Sequence, residues 1–342
     1  MTFTFLIYTK NYILFLILQI LFTFLENFFL SIKADKTYPY LKGDADKLDA
    51  DSKKEIVKNT KAMLMHKVGG VVINSTDNVI LSKFTGLITV GLYSNYYLII
   101  NGINVVLSQV FTSMMASVGN LCATSNTEKQ EEVFKSMFFL NFWMYSFCSI
   151  CFLFLINPFI SIWLGEKYLF SIDVVIVLFL NFYITGMRKS VLTFREAMGL
   201  FEKDKWKAII ESILNIIISI VLVLKIGVLG VFLGTLISSL LVCFWVEPYV
   251  LYKYGFHKNV LNYFKLYFLY SIITAIQCIV FYFGFKIIPD GLYITFIIRL
   301  LVCAIIPNII IILLYHNTNE YKYIISKLPI INKFVINKTK NI

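Results

Sequence analysis

Charge is scarce in this sequence: Asp, Glu, Lys and Arg make up only 15% of its 342 residues, against about a quarter in soluble domains. The shortfall excludes an ordinary soluble fold. Histidine numbers three, and His66, His257 and His316 are scattered with no metal-ligand spacing. The six cysteines (Cys122, Cys148, Cys151, Cys243, Cys278 and Cys303) fall in apolar runs or at their basic ends, where disulfides do not form. Cys148 and Cys151 form a CxxC, but in mid-run among Phe and Leu they read as small packing residues. No small-residue cleavage site follows the first apolar block, so it does not read as a signal peptide. Long polar loops are rare too. Gly86–Thr89, Lys225–Gly227 and Lys286–Gly291 are only a few residues each, with no catalytic triad, DxD pair or metal cluster. A membrane enzyme such as a polysaccharide polymerase or acyltransferase would normally place His, Arg or carboxylate chemistry in a substantial loop, so catalysis is not expected. GDADKLDAD (43–51) reads briefly as a calcium loop, but Leu48 and Lys53 fall where the third carboxylate is needed, which leaves a solvated linker.

What the chain has in abundance is apolar surface: 58% of residues are hydrophobic, 17% are aromatic and the mean hydropathy is +0.77. The apolar residues come in blocks of about 20, the length a helix needs to cross a bilayer. The expected fold class is an all-α polytopic membrane protein with about nine spans, near 11–30, 68–86, 89–112, 136–160, 172–194, 208–224, 228–250, 266–285 and 291–315. Lysine and arginine gather on alternate loops. The 31–67 loop alone holds nine lysines, and the same side collects Lys129, Arg195, Lys203, Lys258 and the basic tail. By the positive-inside rule that side is cytoplasmic, which leaves the N-terminus outside and the C-terminus inside. The net charge of +11 then reflects topology and affinity for anionic membrane lipids, and nothing in it points to nucleic acid. Within the loop, SKKEIVKNTKAML (52–64) reads as a basic amphipathic helix on the inner membrane surface.

The polar residues inside the spans carry the functional signal. HKVGGVVINSTDNVIL (66–81) interrupts an apolar run with five polar residues, and Gly70, Asn74, Asp77, Asn78 and Leu81 share one helical face. Asp77 matters most, because a carboxylate in a span costs at least about 2.5–3.5 kcal/mol on insertion scales and must face a bundle interior or a water-filled cavity. Asn74-Ser75-Thr76 matches a glycosylation sequon, but its place inside a span rules that out. Packing between helices is the competing role for Asn74 and Ser75. Matching faces occur in the third span (Tyr93, Tyr97, Asn101, Ser108), the fifth (Asn181, Thr185, Arg188) and the sixth (Glu211, Asn215, Ser219). Four polar faces imply a shared hydrated cavity.

KVGGVVINSTDNVILSKFTGLITVGLYSNY (67–96) resembles the seventh and early eighth helices of Wzx-like oligosaccharide flippases, in the multidrug/oligosaccharidyl-lipid/polysaccharide exporter superfamily. Asn74, Asp77, Gly86, Val90, Gly91, Tyr93 and Ser94 carry the likeness. ESILNIIISIVLVLKIGVLGVFLGT (211–235) resembles the eleventh and twelfth helices, through Glu211, Asn215, Ser219, Gly227, Gly230, Gly234 and Thr235. Family members have two six-helix lobes, often with two further helices. The resemblance therefore implies a residual sixth helix (1–30), a basic cytoplasmic linker (31–67), a complete C-terminal lobe (68–250), two additional helices (251–315) and a basic cytoplasmic tail (316–342). Helices one to five have no counterpart, so the chain is expected to be an incomplete copy.

The implied activity is movement of an undecaprenyl-diphosphate-linked oligosaccharide from the inner to the outer leaflet of the bacterial cytoplasmic membrane, alongside the polysaccharide assembly machinery for capsule, exopolysaccharide or O-antigen. The expected substrate cavity is lined by Asn74, Asn78, Tyr97, Asn101, Asn181 and Arg188, with Arg188 bidentate on the diphosphate or, alternatively, part of the cytoplasmic anchor with Lys189 and Arg195. A coupling cation is implied at Asp77, Glu211, Asn215 and Thr235, whose hard oxygens suit Na+ or H+. Glu211 has a second option, pairing with Arg188. No other cofactor and no resident metal are expected. The runner-up is a drug/cation antiporter of the same superfamily.

Overall fold

The computed structural model describes residues 11–42, 48–286 and 292–327, and every regular element among them is helical. Residues 43–47 of the GDADKLDAD stretch and residues 328–342 of the expected tail lie outside the described residues. The chain forms two units, 1–55 and 56–342.

In the first unit, α1 (Tyr12–Thr37) begins at an Asn11 cap, whose side-chain oxygen accepts from the N–H groups of Ile13 and Leu14. None of its most apolar window is buried, as suits a helix bathed in lipid. Along one side Gln19, Thr23 and Asn27 recur every four residues, and the Thr23 and Asn27 side chains donate back to the carbonyls of Gln19 and Thr23. Those internal bonds lower the cost of polar groups in an apolar medium.

The next helix, α2 (Ala50–Thr85), is a continuous 36-residue rod. It fuses the expected surface helix 52–64 with the expected span 68–86. No proline interrupts it, and the glycine pair Gly69-Gly70 does not break it. The second unit continues with α3 (Leu87–Thr124), α4 (Thr127–Trp163), α5 (Ile172–Met187), α6 (Lys189–Ala197), α7 (Lys207–Ile226), α8 (Val228–Leu241), α9 (Cys243–Val250), α10 (Leu261–Phe285), α11 (Leu292–Tyr315) and α12 (Asn319–Lys327). Eight helices among the described residues are long and apolar enough to cross a membrane. The protein is an all-α, multi-pass membrane protein. The expected span 68–86 is not among the eight, because the NSTDN run lowers the hydropathy of that stretch of α2.

The axis of the second unit is α4, more than half buried along its apolar window. Phe134, Phe138, Phe139 and Phe142 are fully enclosed. They meet a tyrosine ladder on α10, where Phe138 packs on Tyr263 and Phe142 stacks on Tyr270 at 4.2 Å between ring centroids. Aromatic pairs in such geometry add about 0.5–1.5 kcal/mol each beyond burial. Two close approaches then place the functional side chains. Gly186 lets the Tyr145 ring lie against the backbone of α5, where a Cβ would collide with it. Beside it the Asn141 amide donates to the carbonyls of Gly186 and Met187 at 3.1 and 2.9 Å, at the end of α5 where Arg188 follows. Gly234 brings α8 onto the Ser219 backbone of α7, so Asn215 and Thr235 face each other across the α7–α8 hairpin.

Candidate functional site

Two buried polar groupings stand out, one in mid-helix and one at the Lys-rich end. The first centres on Asp77, which is 8% exposed. The Thr235 hydroxyl lies 3.1 and 3.2 Å from the two carboxylate oxygens, and the Asn215 amide donates to that hydroxyl at 2.9 Å. A relay from α7 through α8 to α2 therefore ends on the carboxylate. Among the described residues no cation pairs with Asp77. The Asn215 amide oxygen is buried with no hydrogen-bond partner. Among the described residues the Thr235 hydroxyl, which has one hydrogen to give, is the donor to the two carboxylate oxygens, and the Asn215 amide oxygen is left without one. Hard oxygens short of positive charge fit a small hard cation or a proton, which Asp77, Asn215 and Thr235 would hold.

Of the two options the sequence left open for Glu211, the structure shows the pairing with Arg188 rather than a place in this cluster. Glu211 lies four residues before Asn215, which moves its carboxylate along the axis by about 6 Å, and it turns to the second grouping. There Arg188 forks onto Glu247, with Nε to Oε2 at 2.8 Å and Nη2 to Oε1 at 2.7 Å. Its Nη1 donates to Ser239 at 3.1 Å and sits 3.8 Å from Glu211. Lys207 donates to the same Glu247 carboxylate and lies 3.4 Å from Asp204, which also holds Arg195. His66 on α2 reaches Asp204 and the Phe201 carbonyl, each at 3.2 Å. Cys243 donates its thiol to Glu211. Glu247 is completely buried. A cavity of about 400 Å³ adjoins these side chains, lined by His66, Lys67, Arg188, Arg195, Lys207 and Glu211 among others.

This arrangement corrects the expected part of Arg188. Its guanidinium fork is already filled by Glu247, so it is not presented as an open clamp for a diphosphate. Asn181 also departs from a cavity lining: its amide donates to the Phe232 carbonyl at 2.9 Å and ties α5 to α8. Asn78, Tyr97 and Asn101 are exposed. The side chain of Asn74 lies outside the described residues.

Exposure continues down α3, where Ser94, Asn101, Gln109, Thr112, Ser113 and Ser117 recur on its open side. The Ser94, Thr112 and Ser113 hydroxyls donate to carbonyls of their own helix and stand beside exposed Leu98, Val105 and Val106. The exposed amides of Asn101 and Gln109 are the groups that call for water or another polar side chain opposite, since lipid offers no hydrogen bonds. Sequence reasoning missed Glu247 and the pairing role of Lys207, Arg195 and Asp204. Glu247 had a usable signal, as the lone acid of the apolar run LLVCFWVEPYV (240–250). The basic members had been absorbed into the positive-inside pattern.

No family model matches the chain, and comparison with curated proteins and with solved structures finds no match either.

Proposed function

We propose that this chain forms the C-terminal lobe of a Wzx-like transporter that carries undecaprenyl-diphosphate-linked oligosaccharide across the bacterial cytoplasmic membrane, for assembly of a surface polysaccharide. One observation carries the reading: an intramembrane carboxylate, Asp77, held only by neutral groups of α7 and α8, beside a helix that presents polar side chains outward. A carboxylate without a counter-ion in an apolar bundle is costly to keep, and coupling to a cation gives it a use. The outward polar residues of α3, with Asn78 and Tyr97, would line one wall of a hydrated path for the sugar while the polyprenyl tail stays in lipid. The facing wall would come from a second lobe, and rocking of the lobes would change which side the path opens to. The coupling ion would be Na+ or H+ at Asp77, Asn215 and Thr235.

A drug/cation antiporter would use the same carboxylate. The two separate in a strain lacking the protein. A flippase deletion accumulates lipid-linked repeat units without a change in drug resistance; altered resistance without accumulation overturns the reading in favour of the antiporter.

The orientation that accompanies this proposal places the basic linker and tail in the cytoplasm. Single cysteines at positions 53, 167 and 286, in a cysteine-free background, test it with an impermeant thiol reagent on intact cells. Labelling is expected at 167 and 286 and, only after permeabilisation, at 53; efficient labelling at 53 in intact cells reverses the topology.

A further inference from the structure

A further set of polar side chains lies buried where α4 packs on α10. The two helices run side by side in the same direction: Phe138 meets Tyr263, Phe142 meets Tyr270 and Phe154 meets Phe281, with ring centroids 4.9, 4.2 and 5.9 Å apart. Midway along that seam the Ser146 and Thr274 hydroxyls bond to each other at 2.8 Å. This pair is well supplied, since Thr274 also reaches the Tyr270 carbonyl at 3.0 Å. The next polar groups along both helices are not. Gln277 follows Thr274 by three residues and Ser149 follows Ser146 by three, each about 4.5 Å further along its axis. Gln277 is only 2% exposed and Ser149 is fully enclosed. Yet both ends of the Gln277 amide, Nε2 and Oε1, and the Ser149 hydroxyl lack a hydrogen-bond partner among the described residues.

A buried amide bonded at neither end is costly, and lipid cannot relieve it, because hydrocarbon offers no hydrogen bonds. The groups themselves define what would. Nε2 needs an acceptor, and Oε1 needs a donor. A cation would serve only the oxygen and an anion only the nitrogen. An apolar ligand serves neither. Water is donor and acceptor at once, is small enough for a helix seam, and when buried makes about three hydrogen bonds to such groups. Room adjoins the seam: the next residue, Cys278, and Leu153 on α4 line a cavity of about 680 Å³, many times the roughly 30 Å³ of one water. We propose that Gln277 and Ser149 form a buried water-binding site between α4 and α10, in which ordered water donates to Oε1 and bonds to Nε2 and the Ser149 hydroxyl. The assignment needs only the packing of these two helices and does not rest on the transport reading.

Brief X-ray radiolysis of the full chain in lipid nanodiscs tests it, because hydroxyl radicals formed from bound water oxidise the side chains beside that water. Phe281, four residues beyond Gln277 and 3% exposed, is the reporter. Phe139, fully enclosed in the aromatic core, is the dry control. Mass spectrometry should find Phe281 oxidised at least tenfold faster than Phe139, and Gln277→Leu should bring Phe281 down to the control rate. Equal rates in the unmodified chain, or rapid Phe281 oxidation that persists in Gln277→Leu, would overturn the proposal. Thermal unfolding in detergent reads the site a second way. With water bound, Gln277→Leu should leave the melting temperature unchanged or lower it, since the change strips the water of partners. In a dry seam the same change would remove two unbonded groups and raise the melting temperature by about 4 °C or more; such a rise would also overturn the site. Should Gln277→Leu not assemble, the comparison of Phe281 with Phe139 in the unmodified chain decides alone.

Discussion

Replacing Asp77 with Asn should reduce transport by at least tenfold while leaving the amount of protein in the membrane unchanged. The amide occupies the same volume as the carboxylate and still accepts from the Thr235 hydroxyl, which lies 3.1 Å from one of the Asp77 oxygens, so the α2–α8 contact survives. What disappears is the negative charge, and with it the capacity to hold Na+ or to give and take a proton. Packing alone would predict the opposite, because removing an unpaired charge from an apolar setting should relieve its cost. The measurement is export of lipid-linked repeat units in a flippase-null strain carrying the variant together with the second lobe, at several sodium concentrations and pH values. Wild-type rates with unchanged ion dependence would reduce Asp77 and its neighbours to packing. A parallel Thr235→Val variant keeps the charge and removes the donor. It should weaken ion dependence without abolishing transport.

The other large effect is expected at Glu247. Substitution by Gln leaves Arg188 and Lys207 as buried cations without the carboxylate that both of them contact. Breaking a buried pair on one side only costs about 3–5 kcal/mol. At about 2–4 °C per kcal/mol for a domain of this class, Glu247→Gln should lower the melting temperature in detergent by roughly 10 °C. The compensated variant Arg188→Met/Glu247→Leu should recover a large part of that loss, because it removes both members of the principal pair and leaves Lys207 its contact with Asp204. A melting temperature unchanged in the single variant would mean the fork is not formed in the folded protein. The two experiments also separate the groupings: Asp77→Asn acts on transport at constant stability, and Glu247→Gln acts on stability first.

How much of this was legible in the sequence follows from how each feature is encoded. The helical membrane class was plain, because apolar runs of span length and basic-loop asymmetry are local properties. Asp77 was legible for a related reason, since a single acid in an apolar run is conspicuous by its cost. Its partners Asn215 and Thr235 were named with it only through the resemblance to the flippase family; spacing alone put Asn215 on a polar face of its span and said nothing of Thr235. Glu211 and Asn215 share that face, yet one turn of height separates a relay to Asp77 from a salt bridge to Arg188, and periodicity carries no information about height across helices. The pairing of Arg188 with Glu247 was hidden for the same reason. The two are 59 residues apart, and only the α5 break held by Asn141 and the packing of α9 bring them together. Even the span count shifted for a physical cause: the NSTDN run makes the stretch 68–86 less apolar than the other eight spans, although it lies on one unbroken helix with the surface segment before it.

The most direct measurement of the central claim is the sidedness of the lipid-linked oligosaccharide. In cells that synthesise the repeat unit but lack their own flippase, the fraction of oligosaccharide accessible to an impermeant periodate or lectin probe at the outer surface is determined with and without this chain and its facing lobe. The account predicts that accessibility rises when both are present, stays at background with either alone, and falls back to background with Asp77→Asn. Accessibility that never rises above background when both are present, while the protein is abundant in the membrane, would contradict it.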